Sequence, residues 1–153
     1  MPRPDWDEYF MNIAEAVKSR SNCLSRSKGA ILVKNKQIIS TGYNGTPRNV
    51  RNCNEGGCKR CEERKEGKIK SGEDLDKCAC CHAEENAIVQ AAFHGINTEG
   101  ATLYTTHTPC KQCAKMIINA GIVRVVSAAD YAEDIGTELM KEAGIKLEKL
   151  WKN

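Results

Sequence analysis

Nine cysteines in 153 residues constrain this chain more than any other feature, because thiols in such number end as disulfides, metal ligands or catalytic groups. The first residues, Met1-Pro2-Arg3-Pro4-Asp5-Trp6-Asp7, place prolines and acids where a secretion signal carries a basic and then an apolar stretch. A disulfide framework is therefore the poorer reading and metal binding or catalysis the better one. The odd number leaves one cysteine outside any complete set of pairs. Placement says more. Seven fall between Cys23 and Cys81, and two sit in Pro109-Cys110-Lys111-Gln112-Cys113.

The length fits one domain spanning 1–153, with enough chain to bury a core. Charged residues make up 28%, and the net charge of +3 is too small and too mixed to imply a nucleic-acid-binding surface. No segment approaches the ~20 apolar residues of a bilayer span, so a cytoplasmic chain without membrane contact is expected. Trp6, Tyr9, Phe10, Ile13, Ala16 and Val17 recur at helical spacing, with Asp5 as a cap. Ala30–Val33 and Gln37–Gly42 flank Lys34-Asn35-Lys36 and predict a hairpin. Residues 48–81 show little periodicity and hold six cysteines, so a bound metal is the expected organiser of this insert. Beyond it the spacing predicts helices over 82–94, 110–120 and 135–143, and strands over 101–105, 123–127 and 145–150. Strands separated by helices of this length argue for an α/β fold whose later strands are parallel, with helices on both faces.

Two elements carry the chemistry. Cys110 and Cys113 are three apart, so both sulfurs can share one side of a first helical turn, where unpaired N–H groups favour thiolates. His82 can add an imidazole from the start of another helix. Three protein ligands with a fourth position open mark a catalytic zinc. Glu84, two residues beyond the histidine, is placed to act as acid and base without being a ligand. His-x-Glu followed by Pro-Cys-x-x-Cys is the known signature of zinc-dependent base deaminases. Taken singly, a Cys-x-x-Cys could be redox-active, His82 a helix-capping polar group, and Glu84 a solvated glutamate.

The chain resembles the deoxycytidylate deaminase family of the cytidine deaminase-like fold. The resemblance rests on Gly29-Ala30, Thr41-Gly42-Tyr43-Asn44-Gly45-Thr46-Pro47, Cys81-His82-Ala83-Glu84-Glu85-Asn86-Ala87-Ile88, Gly100–Tyr104 and Pro109–Ile118. It implies a five-stranded mixed sheet between helices in three α/β/α layers. It also implies zinc-dependent hydrolysis of deoxycytidine monophosphate to deoxyuridine monophosphate, a precursor for thymidylate. A hexamer activated by dCTP and inhibited by dTTP, with Mg²⁺ accompanying the triphosphate, is implied as well. Within the site it implies that Asn44 binds the deoxyribose, although Asn44-Gly45 also reads as a plain tight turn. Ala83 and Tyr131 fall where relatives contact substrate, and packing is the competing role for Tyr131. For the phosphate, Arg26 and Lys28 are the candidates nearest in sequence, with Arg48 and Arg51 beyond the turn; each also reads as a solvated charge.

By the same resemblance Cys23, Cys53, Cys58 and Cys78 form a second, structural zinc site. Cys61 and Cys80 are rival ligands, since Cys58-Lys59-Arg60-Cys61 and Cys78-Ala79-Cys80-Cys81 offer more sulfurs than one ion needs. The two motifs also serve enzymes acting on other cytosine nucleotides or on polynucleotide bases. Against the latter, Glu55, Glu62, Glu63, Glu66 and Glu73 interrupt the basic residues of the insert, and aromatic residues are only 5%, leaving few stacking platforms. A non-catalytic zinc-stabilised binding protein is the remaining alternative, but such a chain would have no use for Glu84 beside a complete ligand set.

Overall fold

Asp5 opens the first helix, α1 (Trp6–Lys18), through a reciprocal cap in which its carboxylate accepts the Glu8 N–H at 2.9 Å and Glu8 accepts its own N–H. The computed structural model describes residues 2–150. Strands β1 (Gly29–Lys34) and β2 (Gln37–Tyr43) form the expected hairpin. Its turn residues Asn35 and Lys36 both have positive φ, 52° and 59°, the geometry that suits a right-twisted two-residue hairpin. After the insert come α3 (Ala83–Phe93), β3 (Thr102–Thr105), α4 (Lys111–Asn119), β4 (Arg124–Ser127), α5 (Ile135–Glu142) and β5 (Lys146–Lys149). The sheet order is β2-β1-β3-β4-β5, with β1 antiparallel to both neighbours and β3, β4 and β5 parallel. This is the five-stranded mixed sheet with helices on both faces.

Period-two alternation divides the core in two. Ile31, Val33, Tyr104 and Val126 face Phe10, Met11 and Ala14 of α1. Ala30, Leu32, Leu103 and Val125 face the other way, onto Ala87 and Ala91 of α3, Ile117 of α4 and Met140 of α5. Arg124 fastens the first layer: its guanidinium donates to both Asp7 carboxylate oxygens at 3.0 and 2.6 Å and also to Glu148. The hydrogen bonds from Arg124, with that from Tyr104, hold the Asp7 carboxyl below the usual aspartate range despite partial burial.

The insert is less irregular than its sequence pattern predicts. It contains the short helix α2 (Lys59–Lys65) and 3₁₀ turns at Cys53–Glu55 and Leu75–Lys77. Its buried centre is made of cysteines, chiefly Cys53, Cys58 and Cys61. Among the described residues, no helix is long and apolar enough to cross a membrane.

Two glycines let the helices reach the sheet. A Cβ on Gly29 would lie 2.3 Å from the Ala14 carbonyl oxygen of α1. One on Gly42 would lie 2.3 Å from the carbonyl oxygen of Ala83 and 2.4 Å from the Ala87 nitrogen of α3. Both obstacles are backbone, which cannot rotate aside. Gly42→Ala should therefore cost at least about 2 kcal/mol in urea unfolding, and because α3 must back away, it should also weaken zinc binding at His82. An alanine variant as stable as wild type would refute the close contact.

Candidate active site

The approach at Gly42 sets the start of α3 against the sheet, and the residues there carry the chemistry. His82 caps α3, its N–H held by the Glu85 carboxylate at 2.8 Å. Cys110 occupies the capping position of α4, with Cys113 in the first turn. The two helix starts meet: His82 Nδ1 lies 3.3 Å from Cys110 Sγ and 3.4 Å from Cys113 Sγ. Around one zinc with ordinary bond lengths, neighbouring nitrogen and sulfur ligands sit roughly 3.5 Å apart. The three side chains thus fit one tetrahedral ion with its fourth position vacant for a reactant.

The thiols fit a cation for a second reason. A hydrogen bond from the Cys113 thiol, helped by His82, brings Cys110 down to about 3. The same bond, then burial and the Glu84 charge, push Cys113 up. A divalent ion bound between them would favour the ionised form of both sulfurs.

Glu84 is 2% exposed, and its Oε1 accepts a hydrogen bond from Thr105 Oγ1 at 2.7 Å. Thr105 closes strand β3 at the carboxyl end of the parallel strands, where α/β sheets place their sites. The sequence reading did not single it out; its position at a strand end was the available signal. Ala83 is fully buried, but as the first residue of α3 its N–H has no partner within the helix and can serve a ligand.

Asn44 is 6% exposed and holds two loops together. Its Oδ1 accepts the Lys28 N–H at 2.7 Å and the Ser21 hydroxyl at 2.6 Å, while its Nδ2 donates to the Arg26 carbonyl. One Nδ2 hydrogen is left for a ligand. Asn22 adds a second tie, its Oδ1 accepting from the N–H groups of Thr46 and Cys53. Gly45 and Cys81 exchange backbone hydrogen bonds, joining the turn to the start of α3.

A cleft of about 800 Å³ runs along these loops, with Arg26, Lys28, Asn44 and His82 in its wall, and Arg64 and Lys111 adding cations that the sequence did not nominate. Two of the four expected phosphate candidates lie elsewhere. The Arg48 guanidinium sits 4.6 Å from the centre of the Phe93 ring, and Arg51 packs at the Gly56 turn. Tyr131 also departs from its expected substrate contact. Its hydroxyl bonds the carbonyls of Val125 and Glu148 at 2.9 Å each, and its ring packs on the core, because a buried phenol takes the nearest acceptors.

The remaining cysteines are grouped differently from the expected quartet of Cys23, Cys53, Cys58 and Cys78. Among the described residues, one cluster with all sulfurs within 4.8 Å joins Cys23, Cys53, Cys61 and Cys80, and another joins Cys58, Cys61, Cys78 and Cys80. Helix α2 is the reason for Cys61: it lies three residues after the capping Cys58, and the first turn brings both sulfurs inward. The Cys80 thiol, hydrogen-bonded to Cys23 and Cys78, brings them down to about 4 and about 5 and is itself pushed up.

Residues 4–129 match the model of the cytidine and deoxycytidylate deaminase zinc-binding region. The chain is 44% identical over 146 residues to a deoxycytidylate deaminase of Schizosaccharomyces pombe, covering 95% of this chain but 44% of that protein. It thus spans less than half the length of that curated relative. The deoxycytidylate deaminase of Mycobacterium phage D29 is 40% identical over 130 residues, which is 82% of this chain and 96% of the phage protein. Among solved structures, the dCMP deaminase of cyanophage S-TIM5 in complex with dCMP and dUMP superposes with a TM-score of 0.76 at 32% identity, covering 98% of this chain and all of that one.

If His82, Cys110 and Cys113 hold one ion on an apolar framework that folds without it, Cys113→Ser should lower bound zinc by one equivalent per chain. Its far-ultraviolet circular dichroism should stay near that of wild type. Unchanged zinc content by elemental analysis would contradict the ligand assignment.

Proposed function

The chain belongs to the cytidine and deoxycytidylate deaminase family, and we propose that it hydrolyses deoxycytidine monophosphate to deoxyuridine monophosphate and ammonia. The observation that carries this reading is a buried carboxylate, Glu84, anchored by Thr105 behind the His82–Cys110–Cys113 ligand set. Zinc, if held by His82, Cys110 and Cys113, would supply Lewis acidity that lowers the pKa of water towards neutrality.

Glu84 does the proton work. Its carboxylate takes a proton from the attacking water and passes it to ring N3 as oxygen bonds to C4. It then takes the second proton of that oxygen and gives it to the exocyclic nitrogen. The C4–N bond breaks, ammonia leaves, and the ring keeps a carbonyl at C4 and hydrogen at N3. The Thr105 hydroxyl keeps the carboxylate aimed through both transfers. The Ala83 N–H and the spare Nδ2 hydrogen of Asn44 would hold the base and the deoxyribose. Arg26 and Lys28 in the cleft wall suit the phosphate, and scarce aromatics disfavour a polynucleotide.

The same reading places one catalytic unit over 1–153 and a homo-oligomer, by family likeness a hexamer, in the cytoplasm. Exposed Val89 and Phe93, four residues apart on α3 and 55% and 66% accessible, supply apolar surface for a second copy. Control by dCTP and dTTP with Mg²⁺ rests on family likeness alone.

A panel of cytosine, cytidine, deoxycytidine and their mono- and triphosphates tests the substrate, with turnover expected to be fastest on the deoxymonophosphate. Preference for an unphosphorylated nucleoside would overturn it. Glu84→Gln should keep zinc and lose roughly 10²–10⁴-fold in kcat; loss of zinc would make Glu84 a ligand instead. Thr105→Val should lower kcat about ten- to a hundred-fold with little change in KM, and Thr105→Ser should restore it.

A further inference from the structure

We infer that the insert holds two zinc ions in one six-cysteine cluster, with Cys61 and Cys80 each bridging both ions. The chain would then carry three zinc ions in all.

The argument begins with counting. The first group, Cys23, Cys53, Cys61 and Cys80, is a complete set of four ligands, and so is the second, Cys58, Cys61, Cys78 and Cys80. Two separate tetrahedral ions would need eight sulfurs, and the groups together contain six. One ion in the first group strands Cys58 and Cys78; one in the second strands Cys23 and Cys53. Cys53 and Cys58 are 0% and 1% exposed, so either choice leaves a fully buried thiol beside a charged centre. Sharing Cys61 and Cys80 uses all six sulfurs and strands none. Cys81, the seventh cysteine of this region, lies outside both groups.

Distances agree with this count. Sulfurs on one tetrahedral zinc lie roughly 3.8 Å apart when the bonds are near 2.3 Å. Cys23 and Cys61 are 3.9 Å apart, Cys61 and Cys78 3.8 Å, and Cys58 and Cys78 4.0 Å. Cys61 therefore stands at tetrahedral spacing from a member of each group. None of these separations is that of a disulfide, and all nine cysteines are free.

Charge is handled by the surrounding backbone. Six thiolates on two divalent ions leave two negative charges, which reside mainly on the unshared sulfurs. Backbone N–H groups donate to two of those, Leu24 to Cys53 and Ala79 to Cys58, each at 3.3 Å. Nearby, Arg60 is 5% exposed and lines the same cleft as Cys61 and Cys78. The insert has almost no other core, so a cluster of this kind supplies the cross-links that apolar burial supplies elsewhere.

The proposal is independent of the reaction catalysed. Elemental analysis of wild type purified under reductant without chelator should give three zinc ions per chain, and two in Cys113→Ser, which spares the cluster. X-ray absorption of Cys113→Ser should show all-sulfur coordination with a zinc–zinc scattering path. After exchange into cadmium-113, the β-protons of Cys61 and Cys80 should each correlate with two metal resonances, and those of the other four cysteines with one. Two zinc ions per wild-type chain, or a Cys113→Ser protein holding a single ion without the metal–metal path, would overturn the bridged cluster in favour of a mononuclear site. Both measurements use proteins with all six cluster cysteines intact, so misfolding of a cluster variant cannot obscure the answer.

Discussion

The contact of backbone on backbone at Gly42 governs where the chemistry can be. Helix α3 approaches β2 so closely that Ala83 and Ala87 touch the strand without an intervening side chain. That contact fixes the height of His82 and Glu84 above the sheet, and thereby which strand residue they meet. The residue met is Thr105, at the end of β3. On the opposite face Gly29 admits α1 in the same manner, so the edge of the sheet nearest the cleft is clamped from both sides. A side chain at either glycine would shift a helix by roughly 1 Å, a misplacement that can cost an acid–base group about a hundredfold in rate.

Ionised sulfur imposes the second constraint. Clustered thiols in a partly buried setting resist losing more than one proton, as the opposite displacements of Cys110 and Cys113 illustrate. Cations resolve this, and the fold provides for them twice by one local device. A Cys-x-x-Cys segment starts a helix, with the first cysteine as cap and the second inside the first turn, at Cys110–Cys113 and again at Cys58–Cys61. The first pair opens onto a partly exposed histidine and keeps a free coordination position. The second is surrounded by the sulfurs of Cys23, Cys53, Cys78 and Cys80, enough to fill a closed coordination shell. One motif thus lends itself to catalysis in one setting and to architecture in the other.

The two sites share a wall. Asn44 accepts hydrogen bonds from Ser21 and the Lys28 backbone, Asn22 reaches the N–H of Cys53, and Gly45 pairs with Cys81 immediately before His82. Order in the cysteine-lined insert is therefore coupled to the position of Asn44 and of the loop bearing Arg26 and Lys28. This gives a physical reason for a chain of this size to commit so many cysteines to a segment with little apolar content.

Much of this could be read directly from the sequence, wherever the determining interactions are local. Helical and alternating periodicities depend on backbone geometry a few residues long, and they located α1, the hairpin and the later α/β alternation. The spacings in His82-Ala83-Glu84 and Cys110-Lys111-Gln112-Cys113 are likewise short enough for a helix start to fix their directions. What the sequence could not supply is the meeting of distant segments. Cys61 and Cys80, named only as rivals to the expected quartet, each lie within reach of two sulfur groups, one with Cys23 and Cys53 and one with Cys58 and Cys78. Thr105 reaches Glu84 only because β3 and α3 lie side by side, and Tyr131 turns into the core because two carbonyls wait there. Residue type and short spacing determined which groups can bind metal and move protons. Only the tertiary path of the chain decided which of them face one another, since that depends on packing and loop closure over tens of residues and leaves no periodic trace in the sequence.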